Sequence, residues 1–206
     1  MELKLWFDLL FEQIKDTSIL QWIAVSFGVT EVLLAKKNNV LLYPAGIISS
    51  ALSIFLLFEA LLYAEAALST YYIIMSIYGW AYWIKRKDQA EVKISYSSKK
   101  EWLITSIIAL GGWGILYLIL KNFTDSDVPV LDSFISSTAW AGMWLLARRK
   151  IENWILLNVS NLFAIPLLFY KNLPLFALLT IFLFIVACFG YFEWRQKINA
   201  DLNINQ

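Results

Sequence analysis

The sequence predicts an all-α membrane protein with seven transmembrane helices, arranged as two parallel three-helix repeats joined by a linking helix. Three observations support this fold class. Apolar runs of membrane-spanning length recur along the chain, basic residues are unevenly distributed between the segments that connect them, and two motifs recur about 111 residues apart. Together they predict a bundle whose N-terminus lies outside the cell and whose C-terminus lies in the cytoplasm.

The composition is that of a protein surrounded by lipid. Of the 206 residues, 60% are hydrophobic and 16% are charged, whereas a soluble domain usually carries about 25% charged residues. The formal net charge of +1 argues against a nucleic-acid partner, which binds basic faces. The sequence has no histidine, and its only cysteine, Cys188, lies inside an apolar run. We therefore expect the lipid bilayer as a partner and no metal, cofactor or catalytic residue.

Seven apolar runs are each long enough to cross a hydrocarbon core of about 30 Å as a helix. Because lipid offers the backbone no hydrogen-bond partners, each run is predicted to be helical. The predicted spans are residues 18–35, 40–58, 63–84, 102–121, 131–147, 153–170 and 175–194.

The two ends of the chain are predicted to lie outside the bundle. Residues 1–16 interleave apolar and charged side chains, and no small-residue cleavage site follows them. This pattern predicts an amphipathic helix at the membrane interface rather than a signal peptide. Residues 198–206 are polar and are predicted to form a frayed tail.

The orientation follows from the distribution of Lys and Arg between the two sides of the membrane. Thirteen of the seventeen basic residues are predicted to lie on one side, which the positive-inside rule places in the cytoplasm. The thirteen are Lys36, Lys37, Lys85, Arg86, Lys87, Lys93, Lys99, Lys100, Arg148, Arg149, Lys150, Arg195 and Lys197. The other side holds the remaining four, which are Lys4, Lys15, Lys121 and Lys171.

Two pairs of motifs indicate an internal repeat. Residues 33–37 (LLAKK) match residues 145–149 (LLARR), and residues 78–83 (YGWAYW) match residues 189–194 (FGYFEW). The offset is about 111 residues in both pairs, and each motif occupies the same place in its unit. Self-similarity at a fixed offset is the usual signature of a repeated structural unit.

The repeat divides the chain into a first three-helix unit at residues 17–87 and a second at residues 131–197. Residues 88–130 then hold a loop and the linking fourth helix. Because three is odd, the fourth helix must cross the membrane once more to give both units the same orientation. Repeated bundles commonly enclose a substrate site at their interface near the bilayer midplane. The repeat therefore favours a transporter over a receptor or a membrane enzyme.

The predicted sixth helix carries three candidate substrate-binding residues. Trp154, Asn158 and Asn161 are spaced so that they share one helix face. An amide inside a membrane helix needs a partner, which is either a ligand or a neighbouring helix. Trp154 is equally consistent with the aromatic belt at the membrane interface. The alternatives of substrate binding and helix packing both stay open.

Glu31 is the clearest charged candidate. A carboxylate at membrane depth is costly and is a functional candidate for that reason. Glu31 lies near the inner end of the first span, about one turn from Lys36, so it can also reach the membrane surface. If it faces a cavity, it would suit a cationic substrate. Aromatic rings bind cations through their faces, and the candidates for that role are Tyr71, Tyr72, Trp80, Trp140 and Trp144.

Several segments resemble the PnuC family of bacterial vitamin transporters. The resemblance covers roughly residues 28–197 and rests on the segments 36–48 (KKNNVLLYPAGII), 71–83 (YYIIMSIYGWAYW), 149–154 (RKIENW) and 190–194 (GYFEW). It implies an inner-membrane carrier of a water-soluble vitamin, mainly nicotinamide riboside, with thiamine and riboflavin branches. It also implies a homotrimer, facilitated diffusion, and trapping of the substrate by a cytoplasmic vitamin kinase.

One position departs from the family pattern. The nicotinamide riboside carriers have a Trp-x-x-Trp pair on the sixth helix, whereas here Trp154 is followed by Leu157. A carboxylate expected one turn later is replaced by Asn161. The departure makes thiamine, which also carries a cationic ring, the alternative to nicotinamide riboside.

Two other functional classes are disfavoured. The sequence contains no G-x-S-x-G, H-E-x-x-H or Walker motif, so nothing indicates a membrane hydrolase or an ATPase. A sensory or structural membrane protein would be expected to carry a sizeable soluble segment, and the sequence shows no run of that kind.

Overall fold

The protein was analysed as a computed structural model, which describes residues 2–59, 63–84, 93–124 and 126–204. Helices dominate this part of the chain. Their bounds are α1 Glu2–Asp16, α2 Ile19–Lys36, α3 Leu42–Glu59, α4 Tyr63–Ile84, α5 Lys99–Ser106, α6 Gly112–Phe123, α7 Pro129–Ala147, α8 Asn153–Tyr170 and α9 Pro174–Ile204.

Each predicted span coincides with helical structure, and most bounds agree within two or three residues. In the described part of the chain, four helical segments are long and apolar enough to cross a membrane. They are Ile19–Lys36, Lys99–Phe123, Asn153–Tyr170 and Pro174–Asp201. The predicted basic residues Lys85, Arg86 and Lys87, and with them the predicted unit boundary at residue 87, lie outside the described residues.

Two helices begin at a capping box, which fixes where they start. The Ser18 hydroxyl accepts a hydrogen bond from the Gln21 amide nitrogen at 3.2 Å, and the Gln21 side chain accepts one from the Ser18 nitrogen at 2.7 Å. Ser98 and Glu101 make the same reciprocal pair at the start of α5. Such a pair satisfies backbone donors that have no partner within the helix. This is why the fourth helical segment begins at Lys99, before the predicted residue 102.

A π-helical turn, Ile107–Gly111, joins α5 and α6 into one segment from Lys99 to Phe123. Glycines follow one another at 111 and 112, and a Cβ at Gly111 would meet open space. The sequence predicted this helix without the irregular turn, because hydrophobic periodicity does not report a single inserted residue.

Helix α9 is longer than predicted and includes most of the segment expected to be a frayed tail. It continues through Ile204. Ile198 is buried in the same hydrophobic cluster as Ile94 and Trp194, and Lys93 forms an ion pair with Asp201 at 3.4 Å. The expectation of fraying over residues 198–204 is therefore wrong, because this polar segment has an apolar residue and an acidic residue with partners in the loop before α5.

The motifs matched in the sequence contact each other across the two halves of the chain. The indole nitrogen of Trp83, at the end of α4, donates to the Ala147 carbonyl at 3.2 Å. The indole nitrogen of Trp194, in α9, donates to the Ala35 carbonyl at 3.1 Å. The two tryptophans are equivalent in the repeat, and so are the two carbonyls. Each half therefore caps the end of a helix in the other half.

The aromatic packing around these tryptophans repeats as well. Tyr43 meets Trp83 edge-on with ring centroids 5.1 Å apart, and Trp154 meets Trp194 edge-on at 5.6 Å. Gly79 lies against Tyr43, and Gly190 lies against Trp154, in both cases so closely that an added Cβ would collide with the ring. Large rings seated on glycines let α3 approach α4, and α8 approach α9, closely.

Candidate substrate-binding site

A central cavity of about 300 Å³ lies between the two halves of the chain. This volume is at the lower end of the range of small-molecule sites, about 300–1,000 Å³. Helices α2, α3 and α4 line it from the first half, and α7 and α8 line it from the second. It thus occupies the position at which a repeated transporter bundle is expected to bind its substrate.

The first half gives the central cavity a polar wall. The wall consists of side chains that carry hydroxyl or carboxylate groups, namely Glu31, Ser49, Ser50, Ser53, Ser69 and Tyr72. The Ser49 hydroxyl donates to the Ala24 carbonyl at 2.9 Å, and the Ser53 hydroxyl donates to the Ser49 carbonyl at 2.9 Å. These hydroxyl oxygens keep lone pairs free to accept further hydrogen bonds.

The second half gives the cavity an apolar wall. Met143 and Leu146 reach it from α7, and Trp154 and Leu157 reach it from α8. Trp154 is buried, and its indole nitrogen has no hydrogen-bond partner in the structure. Buried donors are usually satisfied, so this N–H is available to a bound molecule. The wall combines a flat aromatic surface with one free donor.

Glu31 is the one charged side chain among the described residues that line the central cavity. Within the described residues, its carboxylate takes part in no hydrogen bond and no ion pair. An unpaired carboxylate inside a membrane helix is costly. The sequence left open whether Glu31 faces a cavity or the surface, and the structure places it in the cavity.

The repeat explains why one wall is polar and the other apolar. The carboxylate of Glu31 lies over Gly46, where an added Cβ would be 2.6 Å from the Glu31 Cδ. In the second half Leu157 lies over Gly142, where an added Cβ would be 2.9 Å from Leu157 Cγ. Gly142 is the repeat equivalent of Glu31, and Leu157 is the equivalent of Gly46. The same helix crossing is therefore filled by a carboxylate in one half and by an aliphatic side chain in the other.

The structure brings four of the predicted site residues together in the central cavity, namely Glu31, Tyr72, Trp154 and Leu157. Asn158 points elsewhere. Its amide nitrogen donates to the Cys188 sulfur at 3.2 Å, and it lines a separate lateral cavity of about 320 Å³ between α8 and α9. Asn161 is partly exposed and lines neither of these cavities.

The remaining aromatic candidates also lie away from the central cavity. Trp80 is exposed on α4. Trp140 stacks on Tyr71 with centroids 4.7 Å apart, and the Tyr71 hydroxyl donates to the Trp140 carbonyl at 3.0 Å, so this pair joins α4 to α7. Trp144 is partly buried and is not among the cavity-lining residues.

The sequence analysis missed the serines of the polar wall. Ser49 and Ser53 are four residues apart on α3 and so share one helix face. Polar side chains at this spacing in an otherwise apolar helix were the available signal, because hydroxyls in lipid seek a partner. The aromatic residues drew attention instead because they are so frequent in this chain.

Comparisons with known proteins agree with this architecture. The family model described as "Nicotinamide mononucleotide transporter" matches residues 18–196. The chain is 22% identical to the nicotinamide riboside transporter PnuC of Escherichia coli (strain K12) over 205 residues, covering 87% of this chain and 86% of that protein. It is 25% identical to the nicotinamide riboside transporter PnuC of Neisseria mucosa over 190 residues, covering 85% of this chain and 72% of that protein.

The fold is also found in a solved structure. The crystal structure of the vitamin B3 transporter PnuC superposes with a TM-score of 0.71 at 23% identity, covering 96% of this chain and 90% of that chain. The match of the family model extends from just before α2 into α9 and includes both walls of the central cavity. The chain is therefore a multi-pass membrane protein that belongs to the nicotinamide mononucleotide transporter family, the family of the PnuC transporters.

Proposed function

We propose that this protein carries nicotinamide riboside, or a closely similar cationic nucleoside, across the bacterial inner membrane. The single observation that carries the proposal is the unpaired carboxylate of Glu31 in a cavity with one hydroxyl-rich wall and one aromatic wall. Nicotinamide riboside has a positively charged aromatic ring and a ribose with several hydroxyl groups. Each of these groups has a complementary partner in the cavity.

The polar wall favours nicotinamide riboside over thiamine. Both molecules carry a cationic ring, but thiamine has no sugar. Ser49, Ser50, Ser53 and Ser69 can exchange hydrogen bonds with several ribose hydroxyls at once, while thiamine offers them a single hydroxyl. Thiamine remains the alternative substrate because Leu157 stands where the nicotinamide riboside carriers are expected to have a second tryptophan.

The rest of the proposal concerns how the protein sits and works in the membrane. We propose seven spans in a three-plus-one-plus-three arrangement, a homotrimer, and transport by facilitated diffusion without a coupling ion or any enzymatic step. A cytoplasmic vitamin kinase would then trap the substrate by phosphorylation. The reciprocal contacts of Trp83 and Trp194 support the arrangement of the two units.

Calorimetry on the purified protein tests the substrate. We expect tight binding of nicotinamide riboside, weaker binding of thiamine, and little binding of neutral nicotinamide. In vesicles that contain only this protein, labelled nicotinamide riboside should equilibrate without accumulating. Tighter binding of thiamine than of nicotinamide riboside would reverse the assignment, and protonophore-sensitive accumulation would exclude facilitated diffusion.

The variant Glu31→Gln tests the carboxylate. Removal of an opposite charge within about 5 Å in a partly buried site should cost roughly 1–3 kcal/mol, or about tenfold to a hundredfold in affinity for the cation. Glu193→Gln is the matched control, because Glu193 is a partly exposed carboxylate that pairs with Lys36 at 3.0 Å, away from the cavity. Equal affinities of both variants and the wild type for the cation would show that Glu31 is not its counter-charge.

A further inference from the structure

Helix α1 is held against the bundle by one side chain. The Gln13 amide nitrogen donates to the Asn172 carbonyl at 2.8 Å, and its oxygen accepts a hydrogen bond from the Leu175 nitrogen at 3.2 Å. Leu175 lies in the first turn of α9, where backbone donors have no partner within the helix. Gln13 therefore caps α9 from another helix. Trp6 adds an edge-on contact with Phe169 at 5.3 Å.

A second and larger cavity, of about 850 Å³, lies behind α1. We call it the α1 vestibule, and it is enclosed mainly by α1, α2, α3 and the first turns of α9. Its wall on the α1 side includes Glu12, Gln13 and Asp16. This helix lies almost entirely before the residues that the family model matches, which begin at residue 18.

The α1 vestibule adjoins the central cavity. Ser53 and Ser69 line both cavities. Ser53 lies one helical turn from Ser49 on α3, and Ser69 lies one turn from Tyr72 on α4. A molecule that passes these two serines moves directly from the α1 vestibule to the polar wall that holds Glu31.

The charge of the α1 vestibule matches that of the proposed substrate. Glu12 and Asp16 are the charged side chains among its described lining residues, and no Lys or Arg lines it within that part of the chain. Carboxylates at the mouth of a low-dielectric cleft raise the local concentration of cations. An incoming cation would meet these two carboxylates first and Glu31 last.

We propose that the α1 vestibule is the path by which a cationic substrate reaches the central cavity, with α1 as its wall and Gln13 as the residue that positions that wall. This inference rests on the proposed function for the identity of the substrate. It adds a role for α1 and assigns Glu12 and Asp16 to the selection of positive charge during entry.

Thiol accessibility in intact cells tests the path without any vitamin. In a Cys188→Ser background, Ser53→Cys leaves one thiol between the two cavities. It is treated from outside with a membrane-impermeant methanethiosulfonate that carries either a trimethylammonium or a sulfonate group. We expect modification by both reagents and at least tenfold faster reaction with the cationic one. Ser26→Cys is the matched control, because Ser26 is an exposed residue of α2 that lines neither cavity.

Two further variants examine the wall. Glu12→Gln combined with Asp16→Asn should reduce the preference for the cationic reagent at least threefold in the same cells, which keeps the membrane potential constant. Gln13→Ala should reduce it in the same direction, because it releases the helix that carries both carboxylates. Modification of Ser53→Cys no faster than that of Ser26→Cys, or an unchanged charge preference in both wall variants, would overturn the inference.

The result separates this inference from the proposed function. If Ser53→Cys is unreactive while nicotinamide riboside still binds the wild type, the entry path is wrong and the substrate stands. If Ser53→Cys reacts with the expected charge preference but nicotinamide riboside neither binds the wild type nor slows the reaction, the path stands and the substrate is wrong.

Discussion

Gly46 and Glu31 show how one small residue sets the chemistry of the central cavity. The Glu31 carboxylate occupies the space that a side chain at position 46 would fill. The equivalent space in the second half holds Leu157 above Gly142. The side chain that crosses the helix pair therefore decides whether that wall carries charge, and the glycine opposite decides where the side chain lies.

This arrangement predicts the effect of Gly46→Ala. The new Cβ would push the Glu31 carboxylate out of its place, so we expect affinity for the cationic substrate to fall about tenfold, a loss of roughly 1.4 kcal/mol. Gly114→Ala is the control, because a Cβ at Gly114 would meet nothing within 4 Å. Calorimetry measures affinity, and thermal unfolding in detergent verifies that both variants fold. Unchanged affinity in a folded Gly46→Ala protein would show that Glu31 tolerates displacement.

At this scale the sequence predicted the chemistry of the site better than its directions. Glu31 could be singled out because a carboxylate at membrane depth is rare. Trp154 and Asn158 were expected on one helix face, and helical spacing does place them there. Spacing does not determine which neighbour that face meets. Asn158 meets Cys188 of α9, and Trp154 reaches both the lateral and the central cavity. Only the packing of three helices determines this difference.

The ends of the helices carry the contacts that join the two halves. Trp83 closes α7 through the Ala147 carbonyl, and Trp194 closes α2 through the carbonyls of Ala35 and Lys36 at 3.1 and 3.2 Å. The last carbonyls of a helix have no internal partner. Each indole therefore satisfies an acceptor that would otherwise be left unpaired in a buried place.

We predict that Trp83→Phe and Trp194→Phe each destabilise the protein by about 1–2 kcal/mol, because each leaves a buried carbonyl without its donor. Trp194→Phe should have the larger effect, since its indole serves two carbonyls. Trp102→Phe is the control, because Trp102 is an exposed tryptophan near the start of α5. Melting temperatures in one detergent give the comparison, and equal values for all three variants would contradict the reciprocal capping.

Element positions were largely predictable and element ends were not. Apolar length identifies the membrane helices because a bilayer sets a minimum span. The end of α9 depends on partners that are distant in sequence, such as Lys93 for Asp201. The π-helical turn at Ile107–Gly111 has no signature in hydrophobic periodicity. Local composition thus predicts that a helix exists, and tertiary contacts decide where it stops.

The whole molecule separates its charges between two ends. Lys36 pairs with Glu193, Lys197 donates to the Lys37 carbonyl, and Arg148 and Lys150 pair with Glu101 at 3.5 and 3.1 Å. These contacts join the ends of α2 and α7 to α5 and α9 at one end of the bundle. At the other end Lys171 pairs with Asp132 at 2.8 Å, beside the turn that Gln13 contacts.

This separation leads to the last prediction, that the basic end faces the cytoplasm. Green fluorescent protein fused after Gln206 should fluoresce, and alkaline phosphatase fused there should be inactive. Fusions after Lys171, before α9 begins, should give the opposite pair of results and serve as the control. The measurement also bears on the direction of transport. With α9 ending inside, α1 and its vestibule lie outside and receive substrate. With α9 ending outside, the same cavity would open to the cytoplasm, and Glu12 and Asp16 would lie on the exit path of a cation.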